Sequence, residues 1–146
     1  MTKRLNVADC LCHNIRKTAR LLTQFYDEAL RPSGLRMPQF TLMAAVAEMG
    51  AVAFVPLAAY LGLDRTTLGR NVELLVRDGL VQVDPGEQDK RQQVVRLTEL
   101  GAIRLAEAMP LWEAAQRKAL KKVAKGQLAP LLGQLGALGK LGDSGV

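Results

Sequence analysis

The sequence predicts a mainly α protein in which a helix–turn–helix leads directly into a short β-hairpin. Three observations predict it. Apolar residues recur at three- and four-residue steps over most of the chain, the pattern of helices with one buried face. Only two short runs, Val81 to Val83 and Val95 to Leu97, alternate apolar and polar residues as strands do. Hydrophobic residues make up 49% of the 146 residues but aromatics only 4%, a balance that suits packed helices better than a β-sandwich. That length is enough for one domain with its own core, so residues 1–146 are read as a single domain.

The first helix is marked by Val7, Leu11, Ile15, Ala19, Leu22, Phe25 or Tyr26, and Leu30, and it stops near Pro32-Ser33-Gly34. Pro38 suits the first turn of a second helix carrying Phe40, Met43, Ala44 and Val46 and ending before Gly50. After an apolar link from Ala51 to Val55, Pro56 opens a short third helix that Gly62 ends. Asp64 is a good N-cap for a fourth helix, with Leu68, Val72, Leu75 and Val76 apolar and Gly79 as its stop. The hairpin follows, with Pro85 to Gln92 as its polar tip. Thr98 starts a long helix that Pro110 is expected to kink or divide. A last helix from about Gln127 carries Leu128, Leu131, Leu132, Leu135, Leu138 and Leu141 beside three glycines, a composition that needs a partner surface.

Charge assigns a role to the middle of the chain. The net charge is +6 and the isoelectric point about 9.7, which favours an anionic partner. Arg65, Thr66, Thr67, Arg70 and Asn71 lie near the start of the fourth helix. Arg pairs bidentately with guanine, Asn with adenine, and a Thr methyl touches thymine, so this set suits a helix laid in the major groove of duplex DNA. Asp89, Lys90 and Arg91 occupy the hairpin tip. Arg91 suits a narrow minor groove, Asp89 can brace its guanidinium, and Lys90 can meet a phosphate. The bland alternative is a solvated helix face and an ordinary polar turn.

These segments resemble a known family. DKRQQVVRLTELG (Asp89 to Gly101) resembles the wing of the multiple antibiotic resistance regulators, the MarR family. LGLDRTTLGRNVELLVRDGLV (Leu61 to Val81) looks like its recognition helix, and GLRMPQFTLM (Gly34 to Met43) matches the start of its second helix. The resemblance implies a winged helix-turn-helix with a two-stranded β-wing, spanning about residues 36–101. It also implies a homodimer built from terminal helices at about 5–32 and 102–142, and repression of transcription that a signal relieves. A two-fold dimer predicts a pseudo-palindromic operator with half-sites about one helical turn apart. The rival role is a non-specific architectural protein that coats DNA.

Two signals are open. CLCHNIRKTARLLTQFY (Cys10 to Tyr26) resembles the N-terminal segment of the organic-hydroperoxide sensors within that family, in which the cysteine at the place of Cys12 is oxidised; Tyr26 matches, whereas Arg16 and Met37 stand where those sensors have tyrosines. Cys10 and Cys12 both fall in the first turns of the expected helix, near Arg16, a setting that favours a thiolate. The alternative is that they are small buried hydrophobes. The second signal is a small aromatic or amphipathic ligand held by Ile15, Arg16, Ala19, Pro38, Phe40 and Met43, with Arg16 attracting a carboxylate; all of these but Arg16 could equally be plain core.

Other classes find little support. There is no Gly-rich phosphate loop, no Ser-His-Asp pattern and no recognisable carboxylate pair, so no enzyme and no cofactor is expected. His13 is the only histidine, too few ligands beside Cys10 and Cys12 for a closed metal site. Two cysteines one residue apart make no disulfide scaffold, and no apolar signal core or membrane span is seen, so a bacterial or archaeal cytoplasm, near the nucleoid, is expected.

Overall fold

The computed structural model describes Arg4 and residues 6–143. Leu5, where the first terminal segment is predicted to begin, lies outside the described residues. The elements are α1 (Leu11–Leu30), α2 (Met37–Met49), β1 (Val52–Ala53), α3 (Phe54–Leu61), α4 (Arg65–Arg77), β2 (Val81–Pro85), β3 (Gln93–Leu97), α5 (Glu99–Leu120) and α6 (Leu128–Asp143). The chain divides into two compact units, one ending at Trp112 and one starting at Glu113. No helix among the described residues is long and apolar enough to cross a membrane.

The core of the first unit is built from α2, α3, α4, the sheet and the start of α5. Leu30, Met43, Leu57, Leu68, Leu75 and Val95 are fully buried in it. Phe40 lies 5.8 Å from Trp112 in a stacked pair, joining α2 to α5. The turn between α1 and α2 is held by short polar contacts. The Ser33 hydroxyl donates to the Leu30 carbonyl at 2.6 Å and accepts from the Leu35 amide. The Met37 amide, one of the unpaired donors at the start of α2, donates to Asp27 Oδ1 at 2.6 Å.

Three of the expected boundaries are corrected. The sheet has three strands, in the order β1-β3-β2, because Val52 and Ala53 pair with Val95 and Val94 in the stretch expected to be a link. The third helix begins at Phe54, so Pro56 sits inside its first turn, where no intrahelical amide donor is needed. Pro110 does not divide α5, which runs unbroken through it and forgoes one backbone bond to the Ala106 carbonyl.

A small knot at the root of the hairpin joins α4, the sheet and α5. Gly79 takes the left-handed conformation that ends α4, with φ 71°. The Thr98 hydroxyl donates to the Gly79 carbonyl at 2.6 Å and accepts from the Gly101 amide at 2.9 Å. The Thr98 amide donates to the Leu80 carbonyl at 3.1 Å. Gly101 lies so close that a Cβ there would stand 1.9 Å from the Leu80 carbonyl oxygen. Here glycine is required by the approach of backbone to backbone.

Two predictions follow from these contacts. Gly101→Ala should destabilise the first unit by at least about 3 kcal/mol, the upper end of overpacking costs, because rigid backbone cannot yield as a side chain would; urea unfolding of the two proteins checks it. The second concerns Asp64, whose carboxyl is held below its usual 3.8 by the Thr67 amide and then by the Thr67 hydroxyl. A depressed folded value means that the ionised cap stabilises above the ordinary carboxylate range and that this is lost as pH falls through the folded value. The melting-temperature advantage of the native protein over Asp64→Ala should therefore shrink on acidification; an advantage independent of pH would contradict it.

Candidate nucleic-acid interface

The start of α4 is fixed by its cap. Asp64 has extended backbone, and its two carboxylate oxygens accept from the Thr67 amide and the Thr67 hydroxyl, both at 2.8 Å. Thr67 is thus committed to the cap through its hydroxyl and is half-buried. With Leu68, Val72 and Leu75 buried on one side, the helical repeat of 3.6 residues sets Thr66, Arg70, Glu73 and Arg77 on the opposite side. Arg65, Thr66 and Arg70 are exposed, whereas Asn71 is half-buried at the flank. Arg77 extends the outward stripe by two turns, 3.6 Å from Asp78. It had a sequence signal, the four- and three-residue steps from Thr66 through Arg70.

The wing is a rigid finger. Strand β2 pairs with β3 from Val81↔Leu97 to Pro85↔Gln93. Midway, Arg96 Nε donates to Asp84 Oδ2 at 3.0 Å, and Gln82 donates to the same oxygen at 2.9 Å. At the tip, the Gly86 amide donates to the Gln92 carbonyl at 2.8 Å and the Gln92 amide to the Asp89 carbonyl at 3.0 Å. Asp89 Oδ1 accepts from the Arg91 amide at 3.0 Å and lies 3.6 Å from Arg91 Nε. The brace expected from Asp89 is therefore a hydrogen bond to the backbone of Arg91 with a looser ion pair to its guanidinium. The Arg91 side chain is 95% exposed. Lys90 is exposed beside it.

The bulk charge does not reside in this module. Residues 36–101 hold seven Lys and Arg against eight Asp and Glu. What the module offers an anion is placement. Three of its acids, Asp64, Asp84 and Asp89, are turned to caps and braces, while Arg65, Arg70, Lys90 and Arg91 stand out in solvent.

The residues singled out for sensing divide between a surface and the core. Cys10, Cys12, His13, Arg16 and Arg20 line one open cleft of about 420 Å³. Arg20 was not foreseen; it lies one turn beyond Arg16 on the same helix face. Cys10 is not in the first turn of the helix. It is the N-cap of α1, with extended backbone, while Cys12 is the second helical residue. The Asn14 side chain donates to the carbonyls of Ala8 and Cys10, at 2.7 and 2.9 Å, and ties down the chain ahead of the helix. Ile15 is exposed nearby on α1. Phe40 and Met43 are buried core residues, 4% and 0% exposed, so they line no open pocket. Met37 is half-buried at the start of α2. Tyr26 is half-buried, edge-on to Phe25, and burial raises its phenol above the usual value. No group of three or more metal-ligating side chains lies together among the described residues.

With this geometry in view, the chain can be set beside known proteins. The profile of the MarR family matches residues 33–92, from the turn before α2 to the far side of the wing tip. The chain is similar to the transcriptional regulator MosR of M. tuberculosis, solved in complex with DNA, at 38% identity and a TM-score of 0.84; the match covers 93% of this chain and 98% of that one. It is also similar to the uncharacterised HTH-type transcriptional regulator YwoH of Bacillus subtilis, 33% identical over 89 residues, or 61% of this chain and 64% of that protein. A further relative is the HTH-type transcriptional repressor NicR of Pseudomonas putida, 29% identical over 105 residues, or 72% of this chain and 66% of that protein. The matched segments thus span just under two thirds of the curated relatives. A helix-turn-helix with an outward basic stripe, a braced arginine at the tip of a wing, and a likeness to MosR along nearly its whole length together show that the chain belongs to the MarR family of transcriptional regulators.

Proposed function

We propose that the protein is a repressor that reads a pseudo-palindromic operator as a homodimer. In this reading α4 enters the major groove, with Arg65, Thr66 and Arg70 toward base edges, Asn71 and the Thr67 methyl at the margin, and Lys90 and Arg91 on the flanking minor groove and its phosphates. The observation that carries it is Arg91, a guanidinium held out in solvent on a hydrogen-bonded finger. Repression is supported by the name of NicR, a transcriptional repressor.

The homodimer is supported by two apolar faces, one in each unit. On α1, Leu11, Ile15, Leu22 and Phe25 are exposed at four-, seven- and three-residue steps; on α6, Leu131, Leu132, Leu135 and Leu141 are exposed. Such ordered stripes in water mark surfaces for association. A second copy offers the same stripes, as two-fold interfaces require.

The signal in this reading is oxidation at Cys10 and Cys12, supported by their shared open cleft with Arg16 and Arg20. The Cys12 thiolate attacks a hydroperoxide oxygen, the O–O bond breaks, and the alcohol leaves after taking up a proton. The resulting sulfenic acid is attacked by a second thiol, which forms the disulfide and releases water. Cys10 is the N-cap, its carbonyl already accepting from the Asn14 amide at 3.1 Å and its amide donating to the Val7 carbonyl at 3.1 Å, so Cys10 of the same chain can serve as that second thiol only if the start of α1 and the Asn14 side-chain contacts give way.

Two outcomes are expected. On a duplex selected from a random pool, Arg91→Ala should weaken binding to all sequences and lower the salt slope by about one per wing, or about two for the dimer. Arg70→Ala should instead relax preference at particular base pairs, by about 1–3 kcal/mol. Equal effects of both changes on every duplex would leave only the architectural role. Second, an organic hydroperoxide should release the selected duplex, a thiol reductant should restore binding, and Cys12→Ser should abolish the response. Unchanged binding would transfer the signal to a small ligand, sought by calorimetry with aromatic acids.

A further inference from the structure

The charge excess has a definite location. Residues 114–142 hold six Lys and Arg and no Asp or Glu, and the rest of the chain holds fourteen of each. Five of the six, Arg117, Lys118, Lys121, Lys122 and Lys125, fall within nine residues at the end of α5 and in the turn that follows it. All five are exposed. None of them takes part in an ion pair among the described residues.

Local structure does not account for this cluster. The negative end of the α5 dipole favours Arg117 and Lys118, in its last turn. Lys121, Lys122 and Lys125 precede the start of α6, whose positive end disfavours cations and whose first turn has no acid to offset it. Five like charges this close repel one another, and only an external anion relieves that.

We infer that residues 117–125 are a second, sequence-independent binding site for the phosphate backbone of duplex DNA. The chemistry of the patch selects the partner. No large apolar side chain is exposed between Ile103 and Leu131, so the segment lacks the apolar centre of a protein interface and the insertable face of a membrane-surface helix. What remains is a dense set of four ammonium groups and one guanidinium, which suits a polyphosphate bound through counterion release. Duplex DNA is the polyphosphate held at high local concentration by a chain that also carries a winged helix. The inference does not rest on the operator reading, because a phosphate contact works on any sequence.

The test is the salt dependence of binding to random-sequence duplex by the full dimer, for the native protein and for Lys118→Gln/Lys121→Gln/Lys122→Gln/Lys125→Gln. The slope of log K against log salt should fall by about three to four for each protomer whose patch meets the duplex, about 0.9 per charge lost, with affinity at about 0.1 M salt reduced tenfold or more. Discrimination between selected and random duplex should be unchanged. An unchanged slope would overturn the inference. Acylation of the native protein's lysines, with and without random duplex, gives a second reading that needs no variant. Lys118, Lys121, Lys122 and Lys125 should be shielded, and full reactivity at these four in the presence of DNA would overturn it. A native protein that shows no preferred duplex defeats the operator reading, while both of these measurements still decide on the patch.

Discussion

The contact on which the DNA-facing part depends is the one between the backbone at Gly79-Leu80 and the first turn of α5. Thr98 both donates to Gly79 and accepts from Gly101, and Gly101 lets the two backbones meet. That contact fixes where α4 ends, where β2 begins and how α5 departs. Leu80 and Val81, buried just beyond it, carry the constraint into the core. The helix α4 and the wing are thereby tied to each other at the root of the hairpin. Neither a hydrophobic face nor a strand pair alone would hold that angle, because both tolerate sliding.

Electrostatics in this chain work by placement rather than by total. The winged helix has slightly more acids than bases, yet three of its acids serve structure. Asp64 caps α4, Asp84 holds Arg96 across the wing, and Asp89 anchors the backbone of Arg91. Each leaves a cation elsewhere facing water. The +6 excess lies instead in residues 114–142, which hold no acid. A specific reader gains from this separation: a module with few loose charges has little sequence-independent attraction of its own to blunt discrimination.

Much of this could be read from the sequence, because the signals were local. Asp64, Gly79 and the alternating Val81, Val83, Val95 and Leu97 marked a cap, a stop and two strands with the residue types those features demand. Strand β1 was not legible, because a two-residue strand has no periodicity and exists only through its pairing with Val94 and Val95. The division weighed at Pro110 does not occur, because tertiary packing outweighs one lost backbone bond; Trp112, just beyond it, is anchored on Phe40. The site was legible in composition but not in orientation. Nothing local revealed that Thr67 is drawn into the cap or that Asn71 leans to the flank, and nothing local decided between pocket and core for Phe40 and Met43. Those depend on which face of each helix the whole fold buries. Cys10 was misplaced by one position of helix start, a difference that gives it extended rather than helical backbone.

The most direct test of the central claim is a hydroxyl-radical and methylation-interference footprint of the protein on a duplex selected from a random pool. Two readers joined by a two-fold axis should give paired major-groove contacts about one helical turn apart, flanked on both outer sides by minor-groove protection that Arg91→Ala erases. A single unpaired contact, or an even protection without symmetry, would contradict the account.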